Sequence, residues 1–137
     1  MIRVLIADDH ALVRESDRAI LANEADIEVI ATAGDGQEAV AMSASFQPDV
    51  VVMDISMPKM DGIHATELIR NNDIRTRIVI LSMHVNAALI QQALRMGAGA
   101  YVLKRRATDE LPQAIRAAHQ GEIFLSSAIP PSFLPKQ

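Results

Sequence analysis

The chain has 137 residues, a formal net charge of −4, no cysteine and no tryptophan, and half of it is hydrophobic though only 3% is aromatic. That length suits one domain with a sizeable core of its own. The missing cysteine excludes disulfide frameworks, thiolate zinc sites, iron–sulfur clusters and thiol catalysis, and the mild acidity argues against a phosphate-neutralising face for nucleic acid on this chain.

At the N-terminus a short apolar run is cut off by Asp8 and Asp9, unlike a signal peptide. No later apolar run approaches the roughly 18 residues of a membrane span, so a soluble cytoplasmic chain without a membrane partner is expected. Arg3–Ala7 reads as a first strand, and an amphipathic stretch follows from Leu12 to about Asn23. Ile27–Thr32 is a second strand, and Gly36 to Ser45 carries Ala39, Val40 and Met42 at helical spacing. Val50–Met53 is apolar throughout, as is Ile78 to Leu81 within the run Ile78–Ser82, which marks both as central strands covered on two faces. Between them a helix runs from about Gly62 to Arg70 with Ile63, Leu68 and Ile69 inward.

A fourth helix spans Asn86 to Met96 and stops at Gly97; the fifth strand is Ala100–Leu103. The last helix is expected to start at Thr108 as N-cap, with Asp109 and Glu110 favoured by the dipole and Pro112 tolerated in the first turn, and to end at Gly121. Five strands alternating with helices predict an α/β domain with a doubly wound parallel sheet over residues 1–121. Residues 122–137 contain Pro130, Pro131 and Pro135 and read as a tail or linker that starts apolar and loses regular structure.

Ligands of open α/β sheets bind beyond the C-terminal strand ends. There the chain carries Asp8, Asp9, Asp54, Ser82 and Lys104. Any one of these has an ordinary reading as a cap, turn former or solvated charge. Three carboxylates converging on one edge, however, repel one another unless a cation is present. Mg²⁺ meets that need, since it takes oxygen ligands and is commonly held by one or two carboxylates with phosphate oxygens. Asp54 is then the candidate nucleophile, a carboxylate able to accept a phosphoryl group, and Lys104 and the Ser82 hydroxyl complete the electrostatic clamp around it.

Two other chemistries were weighed against this set. Gly34-Asp35-Gly36-Gln37-Glu38-Ala39 fits a dinucleotide fingerprint with Asp54 about 20 residues on, yet it follows the second strand and leaves the other strand-end residues without a role. A phosphatase with an Asp nucleophile of the haloacid-dehalogenase kind needs a second Asp two residues later, where this chain has Ser56, so turnover of phosphoesters is not expected.

At these positions the sequence resembles the receiver domains of two-component response regulators. The likeness covers about residues 2 to 121 and rests on Asp8-Asp9, on Asp54 within Val51-Val52-Met53-Asp54-Ile55-Ser56-Met57-Pro58-Lys59-Met60-Asp61-Gly62, on Leu81-Ser82-Met83-His84 and on Tyr101-Val102-Leu103-Lys104. It implies a flavodoxin-like (βα)5 domain with strand order 2-1-3-4-5. It also implies phosphorylation of Asp54 by a sensor histidine kinase, Mg²⁺ held by Asp9, Asp54 and the Ser56 carbonyl with Asp8 acting through water, a switch made by Ser82 and Tyr101, and tuning of phosphoryl lifetime by Ser56 and His84. An alternative within the likeness is a degenerate or single-domain receiver that works by protein contact alone.

Asp8-Asp9-His10, Leu12-Val13-Arg14-Glu15 and Gly121-Glu122-Ile123-Phe124-Leu125-Ser126 are similar to the NarL/LuxR type. That type implies transcriptional control by a homodimer formed on phosphorylation, with DNA bound through an output domain that these 137 residues do not include. Arg105 stands where many receivers have proline, and Arg105-Arg106 is a basic pair of the kind that serves kinase choice, dimer contacts or plain solvation.

Overall fold

In a strand the side chains alternate between faces, so an all-apolar strand needs cover on both. The computed structural model, which describes residues 1–134, meets that demand directly. The strands are β1 (Ile2–Ala7), β2 (Ile27–Ala33), β3 (Val50–Asp54), β4 (Arg77–Ser82), β5 (Ala100–Leu103) and β6 (Phe124–Leu125). The helices are α1 (Ala11–Ala22), α2 (Gly36–Phe46), α3 (Gly62–Asn72), α4 (Ala87–Arg95) and α5 (Ala107–His119). Val50, Val52, Val79 and Leu81 pack with Leu21 of α1 and Leu111 and Ile115 of α5. Their neighbours Val51, Met53, Ile78 and Ile80 pack instead with Ala39 of α2, Ile63 and Ile69 of α3 and Ile90 of α4.

All pairings are parallel, in the order β2-β1-β3-β4-β5-β6. The expected 2-1-3-4-5 order is present with a sixth strand added at the β5 edge. Because β1 lies between β2 and β3, the connections on its two sides leave toward opposite faces of the sheet. The crevice opened there, at the C-terminal ends of β1 and β3, is where ligands of such sheets bind.

Two local features differ from the sequence expectation. The last helix does not begin on Thr108: after β5 the chain makes a 3-10 turn over Lys104–Arg106, with the Ala107 N–H bonded to the Lys104 carbonyl, and Arg106 occupies the N-cap position without a side-chain cap. The turn satisfies backbone groups that a capping hydroxyl would otherwise have taken, so Thr108 falls inside the first helical turn. The tail is also more ordered than its prolines suggest. Phe124–Leu125 pairs with Ala100 and Tyr101, Ile129 is 4% exposed, and Pro131–Phe133 forms a 3-10 turn that packs against α4. Apolar Phe124, Leu125 and Ile129 outweigh the prolines because an open sheet edge and a core cluster are available to them. Pro135 lies outside the described residues.

The glycines of the dinucleotide-like segment have a local explanation. Asp35 caps α2 by accepting from the Glu38 N–H at 2.8 Å, and Glu38 Oε1 in turn accepts from the Gly34 N–H at 3.3 Å, close to a capping box. A Cβ on Gly36 would stand 2.0 Å from the Met60 carbonyl oxygen, so only glycine lets α2 close on the loop after β3. Gly36→Ala should therefore cost about 1–3 kcal/mol in urea unfolding, as forced overpacking does. A loss below about 0.5 kcal/mol would mean that the loop yields freely.

Candidate phosphoryl-accepting site

The site is assembled by strand ends. Asp8 leaves β1, Asp54 ends β3, Ser82 ends β4, and Lys104 begins the turn after β5. Asp8, Asp54 and Ser82 are 1%, 5% and 2% exposed, so their polar atoms face one another more than they face solvent. Lys104 Nζ lies 3.3 Å from Asp8 Oδ2 and 3.2 Å from Asp54 Oδ1 and so bridges the two buried carboxylates. Single-strand spacing could suggest the set, but only parallel register brings β1 and β5, on either side of β3 and β4, to the same edge.

The electrostatics follow from that crowding. Burial, reinforced by repulsion from Asp8, pushes the Asp54 carboxyl above its ordinary range, while Lys104 and the Ser56 N–H pull it back. Burial works against the Lys104 ammonium, yet attraction to Asp54 and Asp8 outweighs it and holds Lys104 above its usual value. One ammonium thus serves two buried acids, and a third, Asp9, stands at the mouth. Asp8, Asp9, His10 and Asp54 each offer a ligand atom, and these atoms lie within 4.8 Å of one another. This donor set can hold a cation, and its three carboxylates suit a hard divalent ion better than a soft one.

The loop after Asp54 is set by glycine. A Cβ on Gly62 would come within 2.1 Å of the Asp54 carbonyl oxygen, and the Gly62 N–H donates to the Ile55 carbonyl at 2.8 Å, folding the loop back under the acid. Ser56 sits exposed in this loop. On the other side the His84 N–H donates to Ser82 Oγ at 3.1 Å, and the Tyr101 hydroxyl donates to the His84 carbonyl at 2.9 Å. Tyr101 is fully buried and turned inward, while the His84 side chain is exposed at the rim. Of the basic pair, Arg106 lies 3.5 Å from Glu110 Oε2, an i,i+4 contact, and Arg105 is exposed.

The family described as response regulator receiver domain matches residues 4–116 of this chain. The chain belongs to that family. The receiver is 41% identical over 128 residues to the transcriptional regulatory protein MctR of Rhizobium johnstonii, covering 93% of this chain and 60% of that protein. To LiaR of Bacillus subtilis it is 40% identical over 129 residues, 94% of this chain and 61% of LiaR. It therefore spans about 60% of the length of the curated relatives it matches. The crystal structure of a LuxR-family two-component response regulator from Aurantimonas superposes with a TM-score of 0.89 at 38% identity, over 93% of this chain and 91% of that one. The receiver fold and its place among LuxR-type relatives are thus as the sequence implied, and no helix among the described residues is long and apolar enough to cross a membrane.

Two polar residues of this region are not evident from the motifs. His10 joins the acidic cluster, its Nδ1 3.0 Å from Asp9 Oδ1 and 3.3 Å from Asp8 Oδ1. Its place directly after the acid pair was the available signal. Asp17 is the second: it lies one turn before Leu21 on the inward face of α1, 3% exposed, and its Oδ2 has no hydrogen-bond partner. Burial, with repulsion from Asp8 and Asp54 only partly offset by Lys104, pushes Asp17 up to about 7.

The receiver's fold therefore binds a proton at Asp17 that the unfolded chain has already released, and the stability this gives is lost as pH rises from about 4 through about 7. Asp17→Leu should remove that slope and raise unfolding stability at pH 8, by at most about 4 kcal/mol, the ceiling for a shift of about three pH units. A cavity of about 250 Å³ beside Asp17, between α1 and α5, leaves room for the larger side chain. Denaturant unfolding of both proteins at pH 5 and pH 8 in chelator checks this, and parallel pH profiles would refute it.

Proposed function

We infer that this receiver accepts a phosphoryl group from a sensor histidine kinase onto Asp54, with Mg²⁺ held by the acidic pocket, and that the change at Asp54 is passed through Ser82 and Tyr101 to the surface formed by α4, β5 and α5. The observation that carries the reading is the Asp54 carboxylate itself. It is nearly buried, aligned at a strand end, and held 3.2 Å from an ammonium that Asp8 shares.

Asp54 supplies the nucleophile: one carboxylate oxygen forms the new bond to phosphorus as the phosphorus–nitrogen bond of the donor phosphohistidine breaks. Lys104, already paired with that oxygen set, is placed to neutralise charge on the incoming group. Asp8, Asp9 and Asp54 would hold the Mg²⁺, with the Ser56 carbonyl as a further ligand. When bound, the ion supplies charge neutralisation for the crowded acids and for the phosphoryl oxygens. Ser82 Oγ, now occupied by the His84 N–H, is the hydroxyl on the remaining side, and its engagement by a phosphoryl group would draw on the His84 and Tyr101 contacts in turn. Ser56 and His84 border the pocket and would tune how readily water reaches the acyl phosphate.

The cycle is that of a switch rather than a turnover enzyme, because no second acid stands two residues after Asp54 to protonate a leaving group. Relatives named as transcriptional regulatory proteins, and a similar structure named as a LuxR-family DNA-binding response regulator, support an output on transcription through a DNA-binding domain; the same reading takes the setting as cytoplasmic and the phosphorylated form as a homodimer.

Incubation with acetyl phosphate and Mg²⁺ should add one phosphoryl group by intact mass, and Asp54→Ala should add none; labelling of that variant would overturn the assignment. Lys104→Ala should bind Mg²⁺ at least as well as the parent in calorimetry, since a competing cation is gone, while losing the phosphorylation-dependent change at Tyr101. With p-nitrophenyl phosphate no steady release of product is expected.

A further inference from the structure

The buried position of Tyr101 raises a question of cover. Its strand β5 is next to the sheet edge, and the surface outside β5 would be open if the chain ended its order at Gly121. The tail provides the cover. The Phe124 N–H donates to the Gly99 carbonyl at 3.0 Å and the Ser126 N–H to the carbonyl of Tyr101 itself at 2.9 Å. Ser126 Oγ accepts from the Leu103 N–H at 3.0 Å and donates to Glu110 of α5, and the Ser127 N–H donates to Glu110 Oε2 at 3.1 Å. Burial works against the Glu110 carboxylate, but these donors and Arg106 hold it below its ordinary range.

Beyond Ser127 the tail crosses toward α4. Ile129 joins the packed cluster that contains Tyr101, Leu103 and Ile90, and Phe133 packs on the same cluster. The Ile129 N–H donates to the Ser126 carbonyl at 2.9 Å, which ties the apolar anchor to the polar one. The tail therefore touches β5, α5 and α4 in succession. Tyr101 thus shares an apolar cluster with Ile129 and Phe133 of the tail, while its hydroxyl is bonded to His84 in the loop after β4.

We propose that residues 122–134 form a strap whose docking and the inward position of Tyr101 are one state, so that Tyr101 leaves its pocket only when the strap detaches. The strap gives Tyr101 both a backbone partner and an apolar lid, and an inward ring gives Ile129 the surface it packs on. The proposed coupling runs through the apolar contact, since the backbone bond does not depend on where the ring points. Interactions linked in this way are reciprocal: whatever draws Tyr101 inward tightens the strap, and whatever loosens the strap weakens the inward state by the same factor. The part of the inference that links the strap to Asp54 rests on the phosphoryl-acceptor reading; the link to Tyr101 does not.

Tyr101 is the one tyrosine of the chain, so 3-fluorotyrosine gives a single ¹⁹F signal from it. In the parent protein that signal should be insensitive to a soluble paramagnetic probe. Ile129→Asp should detach the strap, seen as lost exchange protection of the Ser126 and Ile129 amides, and should expose the ring to the probe. A ring that stays shielded while those amides exchange freely overturns the proposal. Should Ile129→Asp prevent folding, Ser126→Ala weakens the strap at its polar anchor and is read in the same two measurements.

Beryllofluoride with Mg²⁺ tests the second link. It should raise protection of the Ser126 and Ile129 amides at least about fivefold, and the strap variants should bind it more weakly by a like factor with Mg²⁺ affinity unchanged. Tight beryllofluoride binding with unaltered strap protection overturns the link to Asp54. Failure of the parent to bind beryllofluoride, with Asp54→Ala as the control, counts against the acceptor reading and leaves the ¹⁹F result to decide the strap.

Discussion

Lys104 reaches across the sheet edge to two buried carboxylates, and much of the domain can be understood as the scaffold for that contact. An ammonium bonded to acids from β1 and β3 requires that the turn after β5 end beside both, which in turn requires parallel strands in register with β3 and β4 between them. Such register needs helical crossovers on both faces and hence strands apolar throughout. The arrangement is not a favourable ion pair in isolation. Two acids share one cation, burial opposes the charges of Asp54 and Lys104, and Asp54 is left with its carboxyl above the ordinary range. A site of this kind is poised to take a cation and then an anion, because each successive partner offsets the imbalance left by the last.

Glycine sets the tolerance of this scaffold. Gly62 lets the loop after β3 fold under the Asp54 carbonyl, and Gly36 lets α2 approach the same loop at Met60. Both act on the one segment whose position decides where the Asp54 carboxylate and the Ser56 backbone stand. Neither has a positive φ, so their requirement is for close approach rather than for a left-handed conformation. That distinction also removes the force of the dinucleotide-like spacing around Gly34 and Gly36, which is met by helix capping and packing.

The parallel alternation of strands and helices and the residues carried to the strand ends were legible because both depend on strong, local signals, whereas the strand order was implied only by the likeness to receiver domains. Val50–Val52 and Ile78–Leu81 can only be central strands, and acids at successive strand ends can only converge if the sheet is parallel. What was not legible depended on competition between weak signals. Thr108 is a good cap by type, but the 3-10 turn at Lys104–Arg106 reached the helix first. Three prolines argued for an irregular tail, whereas Phe124, Leu125 and Ile129 found an open edge and a cluster that no local pattern reveals. Asp17 was hidden for a related reason: its helical phase with Leu21 marks the buried face of α1, but a carboxylate carries no pattern that distinguishes a buried position from a solvated one.

The tail also changes what covers the edge of the sheet at β5. A receiver whose sheet ended at β5 would leave the backbone edge of that strand, which carries Tyr101, open. Here the edge is taken by β6, and buried Ile129 and the buried Ser126–Glu110 junction, with half-buried Phe133, pack beside that strand. Tyr101 is thus held from two sides, by the loop after β4 through its hydroxyl and by the tail through its backbone carbonyl and the shared apolar cluster. The same short segment thus carries both the backbone pairing to β5 and the apolar packing toward α4. Transmission then needs no separate pathway through the core. It needs only that the strap's few hydrogen bonds and one buried isoleucine be weak enough to respond to a change at Tyr101 and strong enough to hold until one occurs.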